Sequence, residues 1–470
     1  MVYVGLIIAI ALIVGLAIFT GMQKSSGKKA EGIGAPVVAG LIIGTLVGGS
    51  STVGTAQLAY NYGMSAWWFT LGGGIACLVL AFIYVKPLRA QGVPTLVGMV
   101  AKEYGPSAGL AASIMNSVGT FINILSQLLS ASAVVLVVWP TMGTPVTIVI
   151  AAVVMVLYVV FGGTKGAGIV GILKTVLLYV SMIVCGGIAL SLLGGMDGLM
   201  TTVQGFNAEL GRNLFNPFCR GVGTDLGSGI SLLLGVLTTQ TYAQAILSAK
   251  STSHARGGAV ISAILIPIIG IFGIIVGLYM RTVTDPATFV TNTALTSFIL
   301  DYSGLPPIVA GLVLGALFIA TVGTGAGLAL GIATIINREL IQKGKNVPKM
   351  SPDTINKLLI VVVLGVAALI SCTPIGDTIL TFAFMSMGLR GCTVFAPLCF
   401  LIWAKGKVDG KYALASILGG SLVALVLGIM SNILGVIDMP LDAVFPGIAV
   451  GLIIMFIGLA AGKGKKTLAN

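Results

Sequence analysis

The sequence has few charged residues. Only 8% of its 470 residues are Asp, Glu, Lys or Arg, whereas a soluble domain carries roughly a quarter. Hydrophobic residues make up 57% of the chain, and the mean hydropathy is +1.10. Because so little polar surface cannot cover a globule in water, we expect the lipid bilayer to be the surrounding solvent and partner.

Residues that carry chemistry are also scarce. The single histidine, His254, falls in a predicted loop, and the six cysteines form neither a CxxC pair nor a metal-binding spacing. All thirteen acidic residues fall in predicted loops or at the ends of predicted spans. Without a nucleophile–base pair, a metal cluster or a deep carboxylate, we expect no enzyme and no cofactor. The net charge of +12 lies in short loops, which indicates membrane topology and no nucleic-acid partner.

Long apolar runs dominate what is present. A helix needs about 20 apolar residues to cross the hydrocarbon core, and the 66 glycines let such helices approach closely. The sequence therefore predicts an all-α polytopic membrane protein with about thirteen transmembrane helices. They are placed at residues 2–22, 35–62, 66–86, 107–139, 143–162, 167–194, 228–249, 257–281, 306–339, 355–373, 377–403, 411–434 and 442–462.

The loops between these spans differ in charge. One set carries many basic residues, among them Lys24, Lys250 and Lys405. The opposite set carries little beyond Arg212, Arg220 and Arg281. The positive-inside rule then predicts an N-terminus outside and a C-terminus inside, as an odd number of spans also requires. We expect a multi-pass protein of the plasma (cytoplasmic) membrane.

The second span contains residues that suit a membrane-spanning helix poorly. A Gly-Gly pair is followed by Ser-Ser-Thr at residues 48–52, and such hydroxyls need hydrogen-bond partners at this depth. Irregular backbone inside a membrane is tolerated where it lines a cavity, and broken helices hold ions and substrates in transporters. The alternative is a packing face of small residues. The first interpretation makes Ser51, Thr52 and Gln57 candidate substrate contacts.

Polar residues interrupt two further spans. One interruption, at residues 238–244, lies five spans after the first, as an inverted repeat predicts. In the fourth span, polar residues three or four apart share one helical face, at Asn116, Thr120, Asn123, Gln127 and Ser130. This stripe either contacts a solute or only joins helices by hydrogen bonds. We take Asn123, Gln127 and Gln240 as further candidate substrate contacts.

Arg390 is a charged residue in the middle of the eleventh predicted span. A charge at the bilayer centre costs about 2.5–3.5 kcal/mol or more and suggests a function by default. Because no acidic residue is predicted at this depth, a solute carboxylate would pair with the guanidinium and relieve that cost. The alternative is that Arg390 bonds helix carbonyls or reaches Asp377.

Four segments resemble the sodium/solute symporter family. GGSSTVGTAQLAYNYGMSAWW (48–68) is similar to its first core helix, and QTYAQAILSAKSTSHARGGAV (240–260) to its sixth with the following loop. Residues 318–340 resemble the eighth core helix, and residues 396–407 the end of the tenth. The resemblance implies a LeuT-type fold, in which one leading helix precedes a five-plus-five inverted repeat and two trailing helices.

The implied fold is a single transporter domain over residues 1–470. Its parts are a leading helix, a first repeat, a second repeat and two trailing helices, at residues 1–30, 35–194, 228–403 and 411–462.

The resemblance also implies a sodium site between the first and eighth core helices. Carried over by position, its ligands are Gly44, Val47, Ala320, Gly323 and Thr324. Hard cations prefer oxygen ligands. Thr324 keeps a hydroxyl, whereas Gly323 stands where the family usually has serine. One of the two side-chain ligands is therefore missing.

Lys174 lies in the implied fifth core helix, where families of this type often carry an aspartate and then a polar residue. Its ammonium either replaces the sodium ion and carries a coupled proton, or it snorkels to the inner membrane interface.

We therefore expect a secondary active transporter that couples a cation to the symport of a small organic solute by alternating access. The resemblance implies sodium as the cation, and Arg390 suggests an anionic solute such as a carboxylate or an amino acid. An alternative is sodium-independent or proton-coupled transport with Lys174 at the cation position. A channel is a remote alternative, since the sequence has no filter repeat or ring of acids. Neither the solute nor the oligomeric state is assigned by the sequence.

Overall fold

The protein is built from helices. Our computed structural model describes residues 1–22, 32–342, 350–373 and 378–462, without the side chains of residues 10, 13, 14, 16–22, 161–173, 339 and 340. Within these ranges the β-structure is limited to an isolated bridge between Ile33 and Ala249. The predicted all-α fold is confirmed.

The first half of the described chain contains nine helices. They are α1 (Val2–Met22), α2 (Ala35–Leu46), α3 (Thr55–Tyr62), α4 (Trp68–Val79), α5 (Val85–Ala90), α6 (Leu96–Tyr104), α7 (Pro106–Val138), α8 (Gly143–Leu192) and α9 (Gly195–Leu210). Two π-helical segments, Ser50–Gly54 and Leu80–Tyr84, lead directly into α3 and α5. Pro106 begins α7, a position at which the missing N–H needs no partner.

Nine more helices follow. They are α10 (Val222–Thr238), α11 (Gln240–Leu247), α12 (Thr252–Val283), α13 (Ala294–Ser297), α14 (Pro307–Ile335), α15 (Pro352–Ser371), α16 (Ile379–Trp403), α17 (Gly410–Gly428) and α18 (Val444–Ala460).

The predicted number of membrane spans is matched only in part by the described residues. Nine helical segments of the described chain are long and apolar enough to cross a membrane, and the bent pair α10–α11 makes ten. The count of thirteen is therefore not confirmed. α2 and α18 are apolar but have only 12 and 17 residues. The predicted spans 143–162 and 167–194 both lie in α8, where Pro140–Val160 and Lys174–Leu192 each qualify as a span.

Apolar side chains cover the outward helix faces. On α8, exposed aliphatic residues recur every three or four positions, at Val146, Val149, Val153 and Leu157. On α15 a similar stripe includes Leu358, Val362, Val366 and Leu369. Contiguous exposed apolar stripes of this kind fit lipid tails rather than water.

The centre of the molecule is formed by α7 and α16, which pack on each other. In each, 78% of the residues of the most apolar window are buried, against 33% for Pro140–Val160. Gly119 permits close approach, because a Cβ there would lie 2.7 Å from Cγ of Arg390. The first interrupted helix, α2–α3, and the second, α10–α11, both contact this central pair.

Candidate functional site

The first helix break separates α2 from α3. After Leu46, Val47 takes an extended conformation with φ −84° and ψ 106°, and helical turns resume with Ser50–Gly54. Only glycine fits at Gly49, because a Cβ there would lie 2.3 Å from Cβ of Ser130 on α7. The Gly-Gly pair suits this point because the helix is interrupted here and the backbone approaches α7 closely.

The hydroxyls of Ser51 and Thr52 are used within the first break. Ser51 Oγ donates to the Gly48 carbonyl (3.0 Å) and accepts from the Gly48 N–H (2.9 Å). Thr52 Oγ1 donates to the same carbonyl (2.8 Å). These bonds satisfy backbone groups that the break frees. A solute that contacted these hydroxyls would have to replace their hydrogen bonds to the backbone.

The polar stripe of α7 reaches the first break through Gln127. Its Oε1 accepts from the Gly49 N–H (3.3 Å), and its Nε2 donates to Ser50 Oγ (3.1 Å) and Asn123 Oδ1 (3.4 Å). Asn123 and Gln127 are therefore brought together beside the break. Farther along the stripe, Asn116 Oδ1 is buried without a partner in the described chain.

Two other predicted solute contacts hold distant backbone segments. Gln57 Oε1 accepts from the Ile379 N–H (2.9 Å) in the first turn of α16. Gln240 Oε1 accepts from the Leu96 N–H (2.9 Å), and its Nε2 donates to the Pro94 carbonyl (3.2 Å). Both amides therefore fasten other elements to the broken helices.

A cavity of about 230 Å³ lies beside the first break. Its walls come from α2, α8, α11 and α14. They include Tyr158, Lys174 and three of the predicted sodium ligands, Gly44, Gly323 and Thr324. The predicted cation position and the predicted coupling lysine therefore share one space.

Lys174 reaches the predicted sodium position. Its Nζ donates to Thr324 Oγ1 (2.8 Å), and the residue is only 6% exposed. The Thr324 hydroxyl in turn donates to the Ala320 carbonyl (2.9 Å). The ammonium is thus directed at the cation position. The snorkelling alternative requires it to reach the inner membrane interface instead.

The residues at the predicted sodium position differ from a sodium site in two ways. Gly323 offers no hydroxyl, and the hydroxyl of Thr324 already accepts from an ammonium. Two unit charges 4 Å apart repel by about 4 kcal/mol at an effective dielectric constant of 20. A Cβ at Gly323 would lie 3.5 Å from the Tyr158 hydroxyl oxygen, so packing does not forbid a serine there.

The second helix break separates α10 from α11, whose axes differ by 49°. Thr239 joins them in an extended conformation with φ −85° and ψ 128°. Thr238 Oγ1 donates to the Leu234 carbonyl (2.7 Å), which satisfies an acceptor near the end of α10. The polar segment predicted at residues 238–244 thus contains a break.

Arg390 lies beside the second break and is only 2% exposed. Its Nη1 donates to Thr239 Oγ1 (3.0 Å), its Nε to the Ser386 carbonyl (3.2 Å), and its Nη2 to Ser386 Oγ (3.0 Å) and Met387 Sδ (3.1 Å). These partners are all neutral, so none balances the guanidinium charge. Asp377, the acidic partner considered from the sequence, lies outside the described residues.

Two tyrosines near the breaks were not predicted as site residues. Tyr158 lines the cavity beside Gly323. Tyr242 on α11 is 1% exposed, and its hydroxyl has no hydrogen-bond partner in the described structure. The signal for Tyr242 in the sequence is its position, three residues after Thr239 and hence about one helical turn from the break.

Arginines cap the half-helices that follow the two breaks. Arg89 Nη1 donates to the carbonyls of Ile246 (2.7 Å) and Ala249 (3.0 Å) at the end of α11. Arg281 Nη1 donates to the Tyr60 carbonyl (3.1 Å) in the last turn of α3. A cation is favourable at a helix C-terminus, where carbonyls lack intrahelical partners.

An all-helical membrane fold with two broken helices that meet buried polar and charged groups defines a secondary transporter. The model of the sodium:solute symporter family matches residues 30–420. The chain belongs to the sodium:solute symporter family. It is thus a multi-pass membrane transporter and not an enzyme.

Two sequence relatives share limited identity with this chain. The chain is 30% identical over 180 residues to the uncharacterized symporter YwcA of Bacillus subtilis (strain 168), a match that spans 37% of this chain and only 34% of that protein. It is 21% identical to the high affinity choline transporter 1 of Homo sapiens over 82% of this chain and 69% of that protein.

The fold itself has a solved counterpart. The structure of a Na+-coupled sialic acid symporter, in a substrate-bound outward-open state, superposes with a TM-score of 0.75 at 18% identity and covers 100% of this chain and 99% of that one. The predicted LeuT-type fold is confirmed.

Proposed function

We propose that this chain carries a small organic solute across the membrane by alternating access. Membership in the symporter family supports this function. The structural observation that carries it is the pair of broken helices, whose polar joints pack on the buried helices α7 and α16. Broken helices expose backbone and side-chain groups to a ligand near the middle of the membrane, and a solute bound there is released as the helix bundle rocks.

There are two candidates for the coupling step, and both use the position of Thr324. The first is symport with sodium, which the family name implies and for which Gly44, Val47, Ala320 and Thr324 would supply oxygens. The second is sodium-independent or proton-coupled transport, in which the Lys174 ammonium takes the place of the ion. The hydrogen bond from Lys174 to Thr324 favours the second candidate, so we expect transport that does not require sodium.

We propose in addition that the solute carries a carboxylate, which pairs with Arg390. The support is a buried guanidinium whose hydrogen-bond partners are all neutral. A charge without a counter-ion is costly inside a membrane, and arginine binds a carboxylate with two parallel hydrogen bonds. Choline, after which the human relative is named, is a cation and serves as the contrast to a solute with a carboxylate.

We propose the plasma membrane as the location, with the N-terminus outside. Ile33 and Arg89, from two loops predicted to lie inside, both contact Ala249 at the inner end of the seventh predicted span. Arg212, in a loop predicted to lie outside, donates to the Asn61 carbonyl at the outer end of the second predicted span. The excess of basic residues in the loops predicted to lie inside supports this orientation.

We also propose the domain organisation that the resemblance implies. Residues 35–194 and 228–403 are the two repeats, 1–30 the leading helix and 411–462 the trailing helices. The support is that one helix break falls near the start of each repeat.

Uptake into proteoliposomes tests the proposed function. Radiolabelled propionate, alanine, choline and myo-inositol are offered separately to the reconstituted chain under an imposed sodium or proton gradient. Accumulation of a solute above that in empty liposomes supports transport, and no accumulation under either gradient contradicts it. Sodium-driven uptake that is lost in Thr324→Ala selects the first coupling candidate. Uptake that is indifferent to sodium and lost in Lys174→Gln selects the second.

A further inference from the structure

Tyr242 is buried beside the second break with an unused hydroxyl. The residue is 1% exposed, and the hydroxyl has no hydrogen-bond partner in the described part of the chain. Buried polar groups are usually paired, because an unmade hydrogen bond in a dry interior is unfavourable. An unpaired donor beside a helix break and a buried charge is therefore available to a partner that arrives from outside the protein.

Tyr242 and Arg390 both lie at the second helix break. Arg390 Nη1 donates to Thr239 Oγ1 (3.0 Å), and Tyr242 lies three residues after Thr239, in the first turn of α11. A charged donor bound to Thr239 and a neutral donor on the first turn of α11 thus both belong to the second break.

The first turn of α11 adds to this positive region. Free N–H groups at a helix N-terminus attract anions, and the side chain of Thr239 makes no capping hydrogen bond to them. The surroundings of the second break therefore supply donors of three kinds. A carboxylate is the complementary group, because its two oxygens only accept hydrogen bonds and it brings the missing negative charge.

We propose that Tyr242 and Arg390 together form a subsite for the carboxylate of the solute, with Tyr242 as a specificity-determining residue. This inference rests on the proposed function, since the carboxylate belongs to the transported molecule. The Tyr242 hydroxyl donates to one oxygen, and the Arg390 guanidinium pairs with the carboxylate. A neutral amide of the same shape leaves the guanidinium uncompensated, so the site rejects it.

Replacement of Tyr242 by phenylalanine tests the subsite, because it removes only the hydroxyl. The full chain in nanodiscs is titrated with acetate, propionate, pyruvate and benzoate, each beside its uncharged amide. The wild type is expected to prefer the acids, and Tyr242→Phe is expected to reduce that preference by about tenfold or more. Tyr179→Phe is the matched control, because the Tyr179 hydroxyl on α8 is also buried without a partner in the described structure; its preference should stay unchanged.

A stability measurement separates this role from a structural one. Without ligand, Tyr242→Phe should unfold at the same temperature as the wild type or higher, because the lost hydroxyl made no bond. An acid preference that survives in Tyr242→Phe overturns the inference and leaves the proposed function standing. A wild type that transports some solute but never prefers an acid over its amide overturns the inference together with the proposed carboxylate pairing of Arg390, and leaves transport by alternating access standing. A chain that binds and transports nothing overturns both.

Discussion

The two helix breaks contain similar polar groups but satisfy them to different degrees. At the first break, Ser51 and Gln127 pair with the freed backbone, and the nearby cation, Lys174, donates to a threonine that the resemblance places in a sodium site. At the second break, the cation is Arg390, and the neighbouring hydroxyl of Tyr242 is unpaired within the described residues.

The difference suggests a division of labour. At the first break the polar groups are paired with one another, and the cation is the protein's own ammonium. Such an arrangement suits a coupling position, because no solute has to supply a charge there. An excess of donors around a guanidinium suits a solute that supplies the acceptors. Variants that act on one break and spare the other test this difference.

The largest effect is expected at the second break. Arg390→Met removes the charge and keeps a long apolar side chain, so uptake of carboxylates should fall by about a hundredfold or more. The free energy of unfolding should not decrease, because a well-packed apolar side chain often replaces a buried charge without loss. Arg390→Lys keeps the charge without the planar guanidinium, so its carboxylate uptake should lie between that of the wild type and that of Arg390→Met. Undiminished carboxylate uptake in Arg390→Met would remove the contrast between the breaks.

The next effect is expected at the first break. In Lys174→Gln combined with Gly323→Ser, the competing ammonium is gone and the missing hydroxyl is supplied, with room for its Cβ 3.5 Å from the Tyr158 hydroxyl. Uptake by this double variant should rise about tenfold or more when sodium replaces potassium. Gly323→Ser alone keeps the ammonium and should remain indifferent to sodium. A double variant without sodium dependence would show that this position does not determine the coupling ion.

A smaller effect concerns backbone packing. Gly49→Ala places a Cβ 2.3 Å from that of Ser130, and such overpacking should lower the free energy of unfolding by about 1–3 kcal/mol. Gly323→Ala is the matched control, because its Cβ has ordinary contacts, and it should change stability by less than about 1 kcal/mol. Chemical unfolding in detergent measures both. Equal losses would mean that the first break is not held against α7 as the structure has it.

The smallest effects are expected from the capping arginines. Arg89→Gln should destabilise the end of α11, and Arg281→Gln the end of α3, each by about 0.3–1 kcal/mol. Hydrogen exchange should therefore rise at residues 240–247 in the first variant and at residues 55–62 in the second. Faster exchange of the same half-helix in both variants would contradict separate capping.

The fold and the breaks were predictable because their signals are local. Long apolar runs require helices in a membrane, and paired glycines next to hydroxyl residues suit an uninterrupted helix poorly. The number of spans is not confirmed in the same way, because the apolar helices α2 and α18 have only 12 and 17 residues.

The partners within the site were harder to predict because they depend on distant residues. Lys174 and Thr324 are 150 positions apart, and the backbone groups that Gln57 and Gln240 hold lie in other helices. For Tyr242 the sequence signal is only its position about one turn after the second break, and its unpaired hydroxyl becomes visible in the described structure.

The most direct test of the account is whether sodium binds to the wild-type chain. A ligand that binds the folded state raises its stability by mass action, so the melting temperature of the chain in nanodiscs is compared in sodium chloride and potassium chloride at equal ionic strength. With the Lys174 ammonium at the cation position, we predict the same melting temperature in both salts. A rise specific to sodium that disappears in Thr324→Ala would contradict the account.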